Sequence, residues 1–322
     1  MAANRQVAQL GLKVDSPVDI FGIIEDSQVW LLFGELENLY GFFQREEDAA
    51  GIAVHSGHPL SLQRFTAAHE YGHYVLGHAF SQDGDTELYG STDLAPQEIQ
   101  AQAFAAEFLM PLALVNRALE RISLPEEPAE INAAQTYQLS LEIGASYLAT
   151  VARLNQLNKI SHEQASALRK RAPIDLKVEL GNGRRPLNPR AAVWAVNESA
   201  RERHVSMWVD DELHVRLSET PSSGFRWALM GDGAEGMELV ADELEKGTST
   251  EQIGGALCRH LWWRAVEPGS AALELRLIRE WEDSDAQPVD ALSLPIVVGI
   301  PRNATETGTG IARPQREALL AT

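Results

Sequence analysis

The spacing of apolar residues changes character partway along the chain. Before about residue 180 they recur mostly every three to four positions, as on one face of a helix; after about 190 they alternate in short runs, as on half-buried strands. In the first part, V-D-I-F-G-I-I-E-D (18–26) reads as a short helix and V-W-L-L-F (29–33) as a buried strand, with further strands at 39–44 and 51–55. Residues 61–79 read as a long helix, with Ser61 as N-cap and Phe65, Ala68, Gly72, Val75 and Leu76 along an apolar face. Residues 80–96 read as a loop. The next helix is opened by Pro96, whose fixed φ suits a first turn, and closed by Pro111. Two or three more helices are expected between Leu112 and Ala172.

The stretch L-G-N-G-R-R-P-L-N-P-R (180–190) has the glycine and proline content of a linker. Beyond it come A-V-W-A-V, H-V-S-M-W-V, E-L-H-V-R-L, F-R-W-A-L-M, H-L-W-W-R-A-V, A-L-E-L-R-L-I and L-S-L-P-I-V-V, separated by turn signals. About seven short strands at that spacing predict a β-sandwich. The pattern as a whole is α+β. It predicts a mainly helical domain with a small sheet over 1–180, a linker over 181–190, an all-β sandwich over 191–301, and a polar, disordered tail over 302–322.

Composition narrows the setting. The chain has 322 residues, enough for two cores, with a formal net charge of -19 and a pI near 4.9. Such a surface repels polyanions, so direct nucleic-acid binding is not expected. No apolar run approaches the roughly 18 residues of a membrane helix, and the N-terminus lacks the charged and apolar regions of a secretory signal. Cys258 is the only cysteine, so no internal disulfide is possible. A cytoplasmic location is the expectation.

The candidate chemistry lies in the long helix. His69, Glu70, Tyr71, Gly72 and His73 spell H-E-x-x-H. On a helix, positions i and i+4 share a face, so the two imidazoles can grip one zinc ion, while Glu70 is placed to take a proton from a water that the metal activates. Gly72 is expected on the metal-facing side. A catalytic zinc usually has a third protein ligand. One known pattern would place a histidine ten residues after the first, but Ala79 stands there, and Leu76 stands where that pattern has glycine. His78 is one residue early, and on a continuing helix it lies about 180° from His69. It is therefore expected to support another residue or to face solvent.

The other route is a glutamate from the following helix. Glu98 and Glu107 are nine residues apart and so lie on opposite faces. The Glu98 face continues through Ala101, Gln102, Ala105 and Leu109, small enough for close approach; Glu107 shares its face with Gln100 and Ala103, which reads as more solvated. Glu98 is the expected third ligand and Glu107 a surface charge. Tyr74 and His55 are candidates for stabilising an oxyanion, although a packed aromatic and a loop histidine are the more ordinary roles.

R-F-T-A-A-H-E-Y-G-H-Y-V-L-G-H (64–78), followed by E-I-Q-A-Q-A-F-A-A-E-F-L-M-P (98–111), resembles the ImmA/IrrE family of metallo-endopeptidases, and Tyr137–Leu154 resembles the helical segment that follows in that family. The resemblance covers about residues 15–180. It implies a zincin-type fold, zinc held by His69, His73 and Glu98, and Glu70 as general base. It also implies a protein substrate, a helix-turn-helix transcriptional repressor whose cleavage turns on genes for stress response, mobile elements or phage defence. The segment around Gly144 itself has a helix-turn-helix flavour, but with Arg153 as its main basic residue it reads as a packing or partner-docking element.

The β-rich half carries a second resemblance. L-S-E-T-P-S-S-G-F-R-W (217–227), the glycines Gly254 and Gly255, and L-I-R-E-W-E (277–282) are similar to the three loops of chagasin-like inhibitors of cysteine peptidases, an immunoglobulin-like sandwich. Pro221, Ser222, Ser223, Gly224, Phe225, Gly254, Gly255, Arg279 and Trp281 are the implied partner-binding loop residues, and a cysteine peptidase is the implied partner. Thr220, Phe225 and Glu280 depart from that family's Asn, Tyr and Pro, which puts inhibition in question and leaves a recognition or regulatory role. Most of the tryptophans in this half are expected in or around the sandwich core. The leading expectation is a zinc endopeptidase with an attached recognition domain. The alternative is a peptidase inhibitor or sensor whose metallopeptidase-like half is not catalytic.

Overall fold

A computed structural model describes residues 2–46, 49–78, 81–84, 95–122, 131–200, 203–231, 234–245, 257–279, 281 and 288–300. Gly254, Gly255, Glu280 and the 302–322 tail lie outside the described residues. By their internal contacts, Met1–Arg171 form one unit and Ala172–Pro301 a second.

The first unit opens with α1 (Ala2–Gln9) and α2 (Ile20–Asp26). Strands β1 (Trp30–Gly34), β2 (Leu39–Arg45) and β3 (Ala50–His55) precede α3 (Leu60–Leu76), and β4 (Ser81–Gly84) follows it. The four strands form one sheet in the order β1-β3-β2-β4, with β1 and β3 parallel and the other pairs antiparallel. Alternate residues of β2 and β3 point at α3: Phe43, Ile52 and Val54 are buried, as the period of two requires for one covered face. β4 lies within the stretch expected to be a loop.

Helices α4 (Pro96–Leu109), α5 (Leu112–Arg121), α6 (Ala133–Ile143), α7 (Tyr147–Gln156) and α8 (His162–Leu168) complete the unit. Four described helices thus lie between Leu112 and Ala172, where two or three were expected. Local chemistry sets their ends. Asn132 and Gln135 form a reciprocal capping box on α6, Gly144 (φ 70) closes it, and Ser146 and Ser161 cap α7 and α8. Arg153 is buried and donates from Nε to the Met110 carbonyl at 2.9 Å. The basic residue of the helix-turn-helix-like segment therefore binds the unit's own interior.

In the second unit, α9 (Pro173–Leu180) is followed by β5 (Val193–Asn197), β6 (Val205–Trp208), β7 (Glu212–Glu219), β8 (Arg226–Leu229), β9 (Met237–Glu245), β10 (Leu257–Ala265), β11 (Gly269–Ile278) and β12 (Asp290–Gly299). Two four-stranded sheets result, β5-β7-β10-β9 and β6-β12-β11-β8. Leu213, Val215, Leu217, Trp263, Trp227, Leu273, Leu275, Leu292, Leu294 and Ile296 are buried. Trp227 Nε1 reaches from one sheet to the Ser218 carbonyl of the other at 3.0 Å. This is the predicted sandwich, with β9 as a strand that the alternation did not reveal. The β5-β7-β10-β9 sheet is covered on its outer face as well. There His214, His260 and Trp262 stack, and the Leu180 carbonyl at the end of α9 meets His214 Nδ1 at 2.5 Å. Among the described residues, no helix is long and apolar enough to cross a membrane.

Candidate metal centre

Helix α3 carries the H-E-x-x-H residues on its second half, and all of His69, Glu70, Tyr71, Gly72 and His73 are buried. Its start is held by Gln63, whose Nε2 donates to the carbonyls of Ser56 and His58 at 2.9 and 2.8 Å. Its end comes three residues earlier than expected. Gly77 adopts φ 72, and the Gly77 and His78 amides bond back to Tyr74 O and His73 O at 3.3 and 3.0 Å. This is a Schellman closure, in which the left-handed residue favours glycine.

α4 lies against α3 because of one small residue. A Cβ on Gly72 would meet Phe104 Cδ1 at 3.0 Å. Gly72, expected on the metal-facing side, is thus the seat of the α4 aromatic. Phe104 and Phe108 stack with centroids 5.3 Å apart, and both contact the Tyr71 ring. The Tyr71 hydroxyl accepts from Gln6 Nε2 at 2.9 Å and lies 3.1 Å from Ser27 Oγ, which ties α1 and α2 to the same helix.

This packing brings together three of the residues singled out from the sequence. His69 Nε2 is 3.0 Å from Glu98 Oε2 and 3.0 Å from His73 Nε2, and His73 Nε2 is 3.3 Å from the same carboxylate oxygen. Glu98 sits in the first turn of α4, where the helix dipole favours a carboxylate. Burial raises its pKa, but hydrogen bonds and charge from His69 and His73 more than offset that and hold it well below the usual carboxylate range. Among the described residues this is the one group of three or more acidic, histidine or cysteine side chains placed to hold a metal ion. The donor set fits zinc. Bonds of about 2.0–2.1 Å to a tetrahedral ion separate its ligand atoms by about 3.3–3.4 Å, close to the triangle seen.

Glu70, next in the chain to His69, is fully buried and faces β2. A Cβ on Gly41 would lie 2.5 Å from Thr66 Cγ2, 2.7 Å from the Ala53 carbonyl and 3.5 Å from Glu70 Oε1. Only glycine lets the strand pass so close to Glu70. His78, turned back by Gly77, is buried with its Nδ1 3.0 Å from His73 Nδ1 and its Nε2 3.1 Å from Gln100 Oε1. Burial lowers its pKa, against a raising effect from Gln100. Of the two residues considered for stabilising an oxyanion, Tyr74 stacks on Tyr71 under the Arg45 guanidinium, and His55 accepts from the Gly57 amide and packs at a tilt against His58. Sequence reasoning did not assign Gly41 or the His73–His78–Gln100 chain. The glycine in an apolar strand and the histidine five residues after the motif were the available signals.

In the second unit, two of the three singled-out loops meet. Pro221–Ser223 form a short helical turn and Gly224 takes φ 75, with the Trp281 ring lying where a Cβ would project. Arg279 Nε donates to the Ser223 carbonyl at 3.1 Å, and its guanidinium lies 4.2 Å from the Phe225 ring centroid. Trp281 is 71% exposed, an apolar tip open to solvent. Trp194, Trp227, Trp262 and Trp263 are buried.

Comparison with known proteins agrees with both halves. The family model described as IrrE N-terminal-like domain (Peptidase_M78) matches residues 25–148, and that of the chagasin family peptidase inhibitor I42 matches residues 206–294. Among solved structures, the cysteine protease inhibitor EhICP2 from Entamoeba histolytica is 19% identical, covering 35% of this chain and 100% of its own, with a TM-score of 0.31. Amebosin is 16% identical over 34% of this chain and 98% of its own, with a TM-score of 0.28. PbICP-C, in complex with falcipain-2, is 13% identical over 34% of this chain and 90% of its own, with a TM-score of 0.23. No curated protein matches the chain. Residues 25–148 are thus a Peptidase_M78 domain of the IrrE N-terminal-like family and residues 206–294 a chagasin-family I42 domain, joined in one chain.

Proposed function

We propose that this chain is a zinc-dependent endopeptidase whose substrate is a regulatory protein, a helix-turn-helix repressor, and whose chagasin-like half serves recognition or regulation. The observation that carries the reading is the convergence of His69, His73 and Glu98 within 3.0–3.3 Å, with the buried Glu70 next in the chain to His69. His69, His73 and Glu98 would hold the metal. When bound, zinc lowers the pKa of a coordinated water towards about 7 and polarises the scissile carbonyl. Glu70 accepts the proton of the attacking water and passes it to the leaving amine. Its burial on the side of α3 that faces Gly41 restricts its movement between the two transfers. The repressor substrate rests on the IrrE-like domain, and the stress, mobile-element or phage-defence setting rests on the same likeness.

The test pairs two variants of the full chain. His69→Ala should lose the zinc that wild-type protein carries at about one ion per chain. Glu70→Gln should keep the zinc and lose cleavage of the partner repressor. Wild-type activity in Glu70→Gln would remove Glu70 from the mechanism.

A second reading concerns the loop tip. Ser223, Gly224, Phe225 and Arg279 assemble beside the exposed Trp281, which suits insertion into the cleft of a cysteine peptidase. Inhibition of papain by the full chain, lost in Trp281→Ala, is the expected result if the tip retains that activity. No inhibition by wild-type protein leaves recognition or regulation as the role of this half.

A further inference from the structure

We propose that His78 and Gln100 are positioning residues for the metal site: they hold His73 in the tautomer that presents Nε2 as a lone pair. This rests on the metal-site reading above. Gln100 Oε1 lies 3.1 Å from His78 Nε2. A carbonyl oxygen only accepts, so His78 Nε2 carries the hydrogen. A neutral imidazole has one N–H, which leaves His78 Nδ1 as an acceptor. Its partner at 3.0 Å is His73 Nδ1, which must then donate. His73 Nε2 is left without a hydrogen, 3.0 Å from His69 Nε2 and 3.3 Å from Glu98 Oε2. Every role in the chain follows from the first.

The direction is reversible in principle, which gives Gln100 its importance. If its amide NH2 faced His78, then His78 Nε2 would accept, its Nδ1 would donate, and His73 Nε2 would carry a hydrogen pointing at the other ligands. A protonated Nε2 cannot ligate a metal. The device depends on the early end of α3. Gly77 reverses the chain within one residue, and the His78 amide bonds to the carbonyl of His73 itself. A helix running on to residue 79 would have carried His78 to the opposite side. Gln100 is exposed on α4, one helical turn or less from Glu98, so it can be replaced without opening the core. Hydrogen-bond partners of metal-bound histidines are typically worth about 10–100-fold in metal affinity.

Four variants of the full chain separate this role from simple charge. Gln100→Glu can only accept and Gln100→Lys can only donate; Ala103→Glu and Ala103→Lys place the same charges at an exposed site three residues along α4. Zinc affinity is measured by competition with a chelator. Gln100→Lys should bind zinc about 10–100-fold more weakly than Ala103→Lys, and Gln100→Glu no more weakly than Ala103→Glu. Long-range 1H–15N spectra of the metal-free protein supply a readout that charge alone does not move. His73 should be Nδ1-protonated in wild type and Gln100→Glu, and Nε2-protonated in Gln100→Lys. Equal affinities for Gln100→Lys and Ala103→Lys, with His73 in one tautomer throughout, would overturn the relay while leaving the metal site intact. Wild-type protein that takes up no zinc would instead overturn the metal-site reading, and the relay with it.

Discussion

Gly41→Ala is the sharpest test of how α3 is held. The added Cβ would lie 2.7 Å from the Ala53 carbonyl and 2.5 Å from Thr66 Cγ2. The first contact is backbone on the paired strand β3, and the second belongs to a residue that is 1% exposed, so neither partner can move aside alone. Strand and helix must separate by several tenths of an ångström. Overpacking of this kind costs about 1–3 kcal/mol, and the backbone contact puts Gly41→Ala in the upper half of that range. For a unit of this size, each kcal/mol lowers the melting temperature by about 2–4 °C, so the first unit's transition should fall by roughly 4–12 °C. Gly72 within α3 and Gly77 at its C-terminal cap calibrate the effect. Gly77 has φ 72 with nothing within 4 Å of a Cβ, so alanine there meets only backbone strain of about 1–2 kcal/mol. At Gly72 the obstacles are Phe104 Cδ1 at 3.0 Å and Cβ at 3.3 Å, which a shift of a few tenths of an ångström relieves, and alanine's better helix propensity returns about 1 kcal/mol. The expected order of destabilisation in thermal unfolding followed by circular dichroism is Gly41→Ala, then Gly77→Ala, then Gly72→Ala. A Gly41→Ala protein that melts within about 2 °C of wild type, or above Gly77→Ala, would refute the close approach of β2 to α3.

Three further outcomes are expected. Glu98→Ala removes one of three donors, so its loss of zinc affinity by chelator competition should exceed the roughly 10–100-fold seen when only a ligand's hydrogen-bond partner is removed; unchanged affinity would exclude Glu98 as a ligand. His214 is pushed down to about 4 by burial. The folded chain keeps it neutral while the unfolded chain protonates it near 6.5, so its contribution weakens stability as pH falls from about 6.5 towards 4. His214→Gln should therefore lose about 2 kcal/mol less than wild type between pH 7 and pH 5 in urea unfolding; identical pH dependence would contradict the burial of a neutral imidazole. Asp211, raised to about 6 by burial, titrates in both proteins and cancels from that difference. Gly224→Ala should displace Trp281 from its seat and alter the near-ultraviolet circular dichroism, whereas an unchanged spectrum would mean that the ring does not rest on Gly224.

Much of this protein was legible one segment at a time. The H-E-x-x-H spacing specified which side chains share a helix face, and helix phase with small neighbours selected Glu98 over Glu107. The change from helical spacing to alternation separated a helical region from a sandwich. Residues such as Ala101, Ala105, Leu213 and Val215 lie buried because a period of 3.6 or 2 directs apolar groups to one side, a property of the local backbone. Strand β9 escaped because every residue of M-E-L-V-A-D-E-L-E is exposed or half-exposed. It is an acidic edge strand whose place comes from pairing with β10 rather than from its own alternation.

What required the tertiary structure is every relation between segments distant in sequence. That Gly72 receives Phe104, that Gly41 admits Glu70, and that His78 turns back onto His73 and meets Gln100 depend on how α3 is packed from two sides and where it stops. Residue types and spacing record which groups a segment can offer. They do not record which distant surface will approach to within 3 Å, because that distance is set by the packing of all elements together. Hence two histidines were visible as a pair of metal ligands in the sequence, while the proton arrangement that would make His73 a ligand became visible only once α4 was in place.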